Sequence, residues 1–185
     1  MGDAAWVGLL LGWIAFARDD VDGAEHAFRD AGRVFAANDD RGRLCEAERA
    51  LAEVMLEEGH IDEAERLALA ARDHVGNHDL TSSVSTLRTL GLVRAAQQRD
   101  DEAEALLRQA LASVEGTDCR LLELGAAAAL ARYLHARGRD SEAEQIEERL
   151  PRRIPGWLSR EDSTAAPDDS ALDERLAATT RRIAD

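Results

Sequence analysis

Asp62-Glu-Ala-Glu65 is one of four near-copies of a single phrase, the others being Asp22-Gly-Ala-Glu25, Asp101-Glu-Ala-Glu104 and Ser141-Glu-Ala-Glu144. Their alanines, Ala24, Ala64, Ala103 and Ala143, lie 40, 39 and 40 residues apart. A fixed period of this size is the signature of a repeat array, in which each unit covers the apolar face of the next.

Around each phrase the hydrophobic pattern is helical. Ala103, Leu106, Leu107, Ala110, Leu111 and Val114 keep the i, i+3, i+4, i+7 spacing of one buried face. Its partner runs from about Ser83 to Gln98, with Leu87, Leu90, Gly91 and Val93 on the apolar side. The same reading gives helices at roughly 4–17, 21–37, 42–58, 61–75, 120–137 and 140–149. Breakers stand where turns are needed: Gly59 and Gly138 within hairpins, Gly76-Asn77 and Gly116-Thr117 between units. Acidic residues open the second helix of each pair: Asp20 and Asp22, Asp62 and Glu63, Asp100 and Asp101, Asp140 and Glu142. They are expected to cap free N–H groups and to suit the positive helix end.

The expected architecture is all-α, a right-handed α-solenoid of about four helix hairpins over residues 4–150, with units at about 4–40, 41–79, 80–118 and 119–150. Pro151, Pro155, Gly156 and Pro167 then punctuate a linker over 151–169. Ser170-Ala-Leu-Asp173 resembles a capping box opening a helix or tail over 170–184, with Leu172, Leu176 and Ala177 as its apolar stripe. Such a helix would cover an open end of the array.

The bulk properties exclude several functions. A formal charge of −14 over 185 residues disfavours nucleic acid and anionic membranes, whose binding depends on neutralising phosphates. All 23 basic residues are arginine, so a Schiff-base lysine and a lysine-dependent phosphate loop are both excluded. Cys45 and Cys119 show no metal spacing and no disulfide framework, which fits a reducing compartment. The apolar run Val7 to Ala17 is 11 residues, too short to span a bilayer, and Asp3 ahead of it is unlike a signal peptide. A cytoplasmic protein is expected. The chain opens almost directly on an apolar helix, which favours a fragment of a larger regulator.

Twelve residues before the repeated alanines stand Gly12, Ala52, Gly91 and Ala131, each preceded by a leucine (Leu11, Leu51, Leu90, Leu130). Seven residues after them come Ala31, Ala71 and Ala110, and Phe28 and Leu107 fill a large apolar position between. Small residues let helices approach closely, and leucine fills the layer between them. This pattern resembles the tetratricopeptide (TPR) repeat. It departs from it in a period of 39–40 rather than 34, in the mostly absent Tyr and Pro positions, and in Leu150, which replaces the last small residue. Long periods of this kind are similar to the arrays of MalT-type regulators and of the C-terminal region of bacterial ATPase-containing adenylate/guanylate cyclases. The stretches Leu51 to Arg66 and Gly76 to Thr81 carry that likeness.

The resemblance implies a concave face lined by the first helix of each pair and able to capture peptides. Carried over by position, that face holds Trp6, Leu9, Trp13 and Phe16, then Glu46, Arg49 and Glu53, then Arg88 and Leu92, then Arg132 and His135. Its arginines could hold a peptide carboxylate bidentately, although Arg49 and Glu53 are also spaced to pair with each other on a wet face. Trp6, Trp13 and Phe16 in an aromatic-poor chain suggest an exposed apolar patch. That patch could support a homodimer, in which case Trp13→Ala would dissociate it. Asp19, Asp20 and Asp22 do not complete a calcium loop. His74 and His78 lack a third ligand and a continuous helix, and no catalytic constellation or cofactor motif appears.

The expected function is therefore a non-catalytic protein- or peptide-interaction scaffold, the repeat region of a bacterial signal-transduction protein. The alternatives are an effector-sensing module governing an attached ATPase or cyclase, and a homo-oligomerisation domain.

Overall fold

Residues 2–76 and 79–148 are described here in a computed structural model. Asn77, His78, the expected linker 151–169 and the expected capping helix 170–184 lie outside the described residues. The chain divides at Leu150/Pro151 into two units, of which the first carries every described element.

The described residues form eight α-helices and no strand. They are α1 (Gly2–Ala17), α2 (Val21–Ala37), α3 (Arg41–Glu57), α4 (Ile61–His74), α5 (Leu80–Ala96), α6 (Asp100–Ala112), α7 (Arg120–Ala136) and α8 (Asp140–Glu147). Each helix packs on the next, and the odd-numbered helices also touch in series: α1 with α3, α3 with α5, α5 with α7. The even-numbered helices do not pack on one another in this way, and α2 with α4 and α6 with α8 meet only through long side chains.

The repeated phrase sits at the start of each even helix, and its alanine is fully buried in all four copies. The turn just before it is equally regular. Asp19, Gly59, Gln98 and Gly138 all take positive φ, at 59°, 77°, 61° and 71°. After each, the backbone N–H donates to the carbonyl five residues back: Asp20 to Ala15, His60 to Met55, Arg99 to Arg94 and Arg139 to Leu134. This is a left-handed helix end that satisfies orphan carbonyls and reverses the chain.

Facing helices approach through the expected small residues. A methyl placed on Gly12 would lie 2.5 Å from the Phe28 ring, and one on Gly91 2.7 Å from Leu107. Leu51, Leu90 and Leu130 are buried as expected, but Leu11, at the same register, is 57% exposed. The other three are covered by the pair before them, whereas no described helix precedes α1.

Capping differs from expectation at several helices. Asp20 does accept from the Gly23 N–H at 3.0 Å. At α4, α6 and α8 the capping positions are His60, Arg99 and Arg139, none of which makes a side-chain cap bond. Asp40 and Asp79 cap α3 and α5 instead. Asp79 accepts from Ser82 N–H at 2.9 Å and from its hydroxyl at 2.6 Å, which starts α5 three residues before Ser83.

The acidic phrase spends its charge on ties between units. Arg29 donates to Glu25 at 2.7 Å and to Glu63 of the next unit at 3.3 Å. Arg108 repeats this with Glu104 at 2.8 Å and Glu142 at 3.3 Å. Glu65 accepts from Arg94 and Gln97, and Glu104 accepts from Arg139 at 2.5 Å. No described helix is long and apolar enough to cross a membrane.

Candidate functional site

The odd-numbered helices carry the residues expected to line a binding face, and a continuous line of side chains crosses all four. It begins at Trp13 on α1, whose ring lies 5.0 Å from that of Phe28 and 6.0 Å from that of Phe16. The Arg49 guanidinium of α3 stacks on the same ring, 5.0 Å from its centroid. Trp13 is thus a bridge among α1, α2 and α3 rather than part of an exposed patch. Its loss would open the hairpin, which removes Trp13→Ala as a clean probe of dimerisation.

Arg49 is 5% exposed. It donates to Glu46 and, at 2.7 Å, to Glu53 one turn on. The expected i, i+4 pair therefore exists, but inside the packed helices rather than on a wet face. Ala47, Ala50 and Ala52 of the same helix are also buried, and the Trp13 ring with the Glu46 and Glu53 carboxylates covers the guanidinium. A carboxylate ligand would have to displace Glu46 or Glu53 to reach it.

Glu53 gathers the network. Its Oε1 accepts from Arg49, from Arg88 at 2.7 Å and from the Thr89 hydroxyl at 2.8 Å, so α3 and α5 are joined at this atom. Burial alone would push its carboxyl up, but the charges of Arg49 and Arg88 outweigh burial and hold it at about 2. Thr89, fully buried, was not singled out in the sequence; only its place one residue after Arg88 hinted at a role.

Arg88 then reaches α7. Its Nη1 lies 3.1 Å from where a methyl on Gly125 would sit. Arg132 stands two turns further along that face of α7. It is exposed, and its side chain makes no hydrogen bond or ion pair among the described residues. His135 is also exposed; its Nδ1 shares a hydrogen bond with Asp140 at 2.7 Å, and Nε2 lies 3.4 Å from Glu147. The bond to Asp140, with Glu147 beyond it, holds the imidazole above its ordinary value.

The remaining expected residues separate by depth. Leu9 is fully buried and belongs to the core, Phe16 and Leu92 are half-buried, and Trp6 is 38% exposed with Arg43 stacked 5.7 Å from its ring centroid. The apolar surface of α1 lies elsewhere, on Val7, Leu10, Leu11 and Ile14, each about half exposed. Sequence reasoning missed this face because it weighed aromatics over aliphatics.

A pocket of about 220 Å³ lies among α6, α7 and α8, lined by Arg108, Leu111, Glu115, Leu130, Glu142 and Ile146. It is smaller than the roughly 300–1,000 Å³ of typical small-molecule sites. Of its three charged lining residues, Arg108 and Glu142 are already paired with each other. His74 shares a hydrogen bond with Glu48 at 2.8 Å, and His78 lies outside the described residues. Cys45 is buried and Cys119 exposed, both as free thiols. No model of a known protein family matches the chain, and no curated protein matches it.

Proposed function

We propose that this chain is a non-catalytic TPR-like repeat scaffold, the repeat region of a regulatory protein, whose odd-numbered helices form a concave face for a protein or peptide partner. The observation that carries the reading is the serial contact of α1, α3, α5 and α7, joined by the line Trp13, Arg49, Glu53, Arg88 and Gly125. In a solenoid this line runs along the floor of the superhelix and fixes the spacing of the groups above it.

Within that face the roles divide. Arg49 and Glu53 build the floor, and Arg88 ties it to α7. Arg132 is the point of recognition, being cationic, exposed and without a side-chain partner among the described residues. It suits a terminal or side-chain carboxylate held bidentately. The rest of the surface is strongly acidic, which steers partners of net positive charge. The ligand class is thus a basic segment presenting one carboxylate to Arg132.

A displayed library of basic peptides with free C-termini tests this directly. Peptides enriched on the wild-type chain should lose about tenfold or more in affinity on Arg132→Glu, while amidated versions bind both chains weakly. Failure of any peptide to enrich, or enrichment indifferent to Arg132 and to amidation, would refute the reading.

A further inference from the structure

Helix α1 is apolar on every side, a pattern that marks a helix covered all round. One side does pack: Ala5, Leu9 and Gly12 are buried against α2 and its neighbours. The other side is bare. Val7 is 53% exposed, Leu10 46%, Leu11 57% and Ile14 51%. These residues follow i, i+3, i+4, i+7, so they form one continuous stripe. Its area is on the order of a few hundred Å², the scale at which an exposed patch marks an association surface.

The stripe is symmetric about the midpoint between Leu10 and Leu11. Reversing the helix places Leu10 on Leu11, Val7 on Ile14, and Asp3 at one end on Arg18 at the other. Each pair matches in chemistry: leucine with leucine, β-branched with β-branched, acid with base. Asp3 and Arg18 are both exposed, and their side chains make no hydrogen bond or ion pair among the described residues. From Asp3 the stripe also steps four, three and four residues to Val7, Leu10 and Ile14, the spacing of an apolar seam between two helices.

From this self-complementarity we infer that α1 is the interface for a second copy of this chain, packed antiparallel about a two-fold axis. In such an isologous contact every pairing occurs twice. The four aliphatic side chains of each copy form its apolar centre, and two Asp3–Arg18 pairs close its ends. Exposed ion pairs add little affinity, so the charges set orientation while the leucines supply the attraction. Two faces of this size reach only the low end of specific interfaces, so the dimer is weak and concentration-dependent.

Light scattering over a concentration series, at low salt so that the end charges are unscreened, decides it. The wild type should move from monomer to dimer mass, and Leu11→Glu should stay monomeric with an unchanged helical spectrum, since Leu11 is a surface residue. Asp3→Arg and Arg18→Asp should each weaken association roughly tenfold, because each sets like charges together at both ends. An equimolar mixture of those two variants should recover wild-type association, since every end then pairs acid with base. A role for these charges confined to the ends of their own helix predicts no such recovery. A wild type that is monomeric up to about 1 mM overturns the inference, leaving the face to another segment or a different partner. A dimer indifferent to Leu11→Glu, or to the single charge reversals, overturns it equally.

Discussion

Glu53 holds two guanidinium groups and a threonine hydroxyl at one oxygen, and its acid–base behaviour follows from that crowding. Its folded carboxyl sits at about 2, below the 4.5 of an ordinary glutamate. A depressed carboxyl stabilises the fold fully above the ordinary value and loses that contribution as pH falls through the folded value. Glu53→Gln should therefore cost about 3 kcal/mol near neutrality, because Arg88 loses its carboxylate and the buried Arg49 keeps only that of Glu46. The gap between variant and wild type should narrow as pH falls from about 4.5 to about 2, as read by denaturant titration at several pH values. A gap that does not change with pH would mean that the glutamate acts through shape alone. Gln98 makes a second residue-scale case. It takes φ 61° where Gly59 and Gly138 fill the equivalent turns. A left-handed conformation costs a side-chain-bearing residue about 1–2 kcal/mol, and glycine returns part of that as lost entropy. Gln98→Gly should raise stability by about 0.5–1 kcal/mol and lift the melting temperature, whereas Gly59→Ala should lower it.

At the scale of the helix, the hairpins are set by how closely their two members approach. Gly91 faces Leu107, and the space a methyl would need is filled by Leu107 Cγ at 2.7 Å and the Ala103 carbonyl oxygen at 3.3 Å. Helix propensity alone favours Gly91→Ala by about 1 kcal/mol. The clash opposes it, and overpacking of a rigid core costs about 1–3 kcal/mol. The variant should be net destabilised in thermal melts, and a gain in stability would show that the two helices can part freely. This part of the molecule was legible in advance. The Gly12/Phe28 and Gly91/Leu107 pairings follow from one repeated register, and the expected helix bounds agree with the observed ones to within a few residues. The site was less legible. Spacing showed that Arg49 and Glu53 could meet, but not that neighbouring helices would close over them, because burial depends on chains distant in sequence. The exposure of Leu11 was hidden for the opposite reason. Its register is that of Leu51, Leu90 and Leu130, but no described helix covers it. The turns at Asp19 and Gln98 went unseen because neither residue announces a positive φ as glycine does.

Across the first unit as a whole, packing is uneven. One core cluster runs from Ala5 to Val93 and joins α1 through α5, while two smaller clusters hold α5, α6, α7 and α8. The contacts are those of a chain coupled to near neighbours: each helix to the next, each odd helix to the next odd one. Stability in such an arrangement is a sum of local terms, so the member with the least burial and one neighbour opens first. That member is α8, eight residues long with Ala143 its one buried side chain. Helix α3 is the opposite case, with Cys45, Ala50, Ala52, Val54 and Met55 buried and both flanking pairs packed on it. Surface ties do not rescue α8, because Arg108–Glu142 and Arg139–Glu142 are half-exposed and screened by water, so they add little. Native-state hydrogen exchange should therefore show α8 amides opening at least about tenfold faster than those of α3 and α4, with α7 between them. If α1 pairs with a second copy, its amides alone should slow as protein concentration rises, since only that helix gains a covering face. Uniform exchange across all eight helices would instead mean that the unit opens as one cooperative block, and that the ties between units are far stronger than their exposure implies.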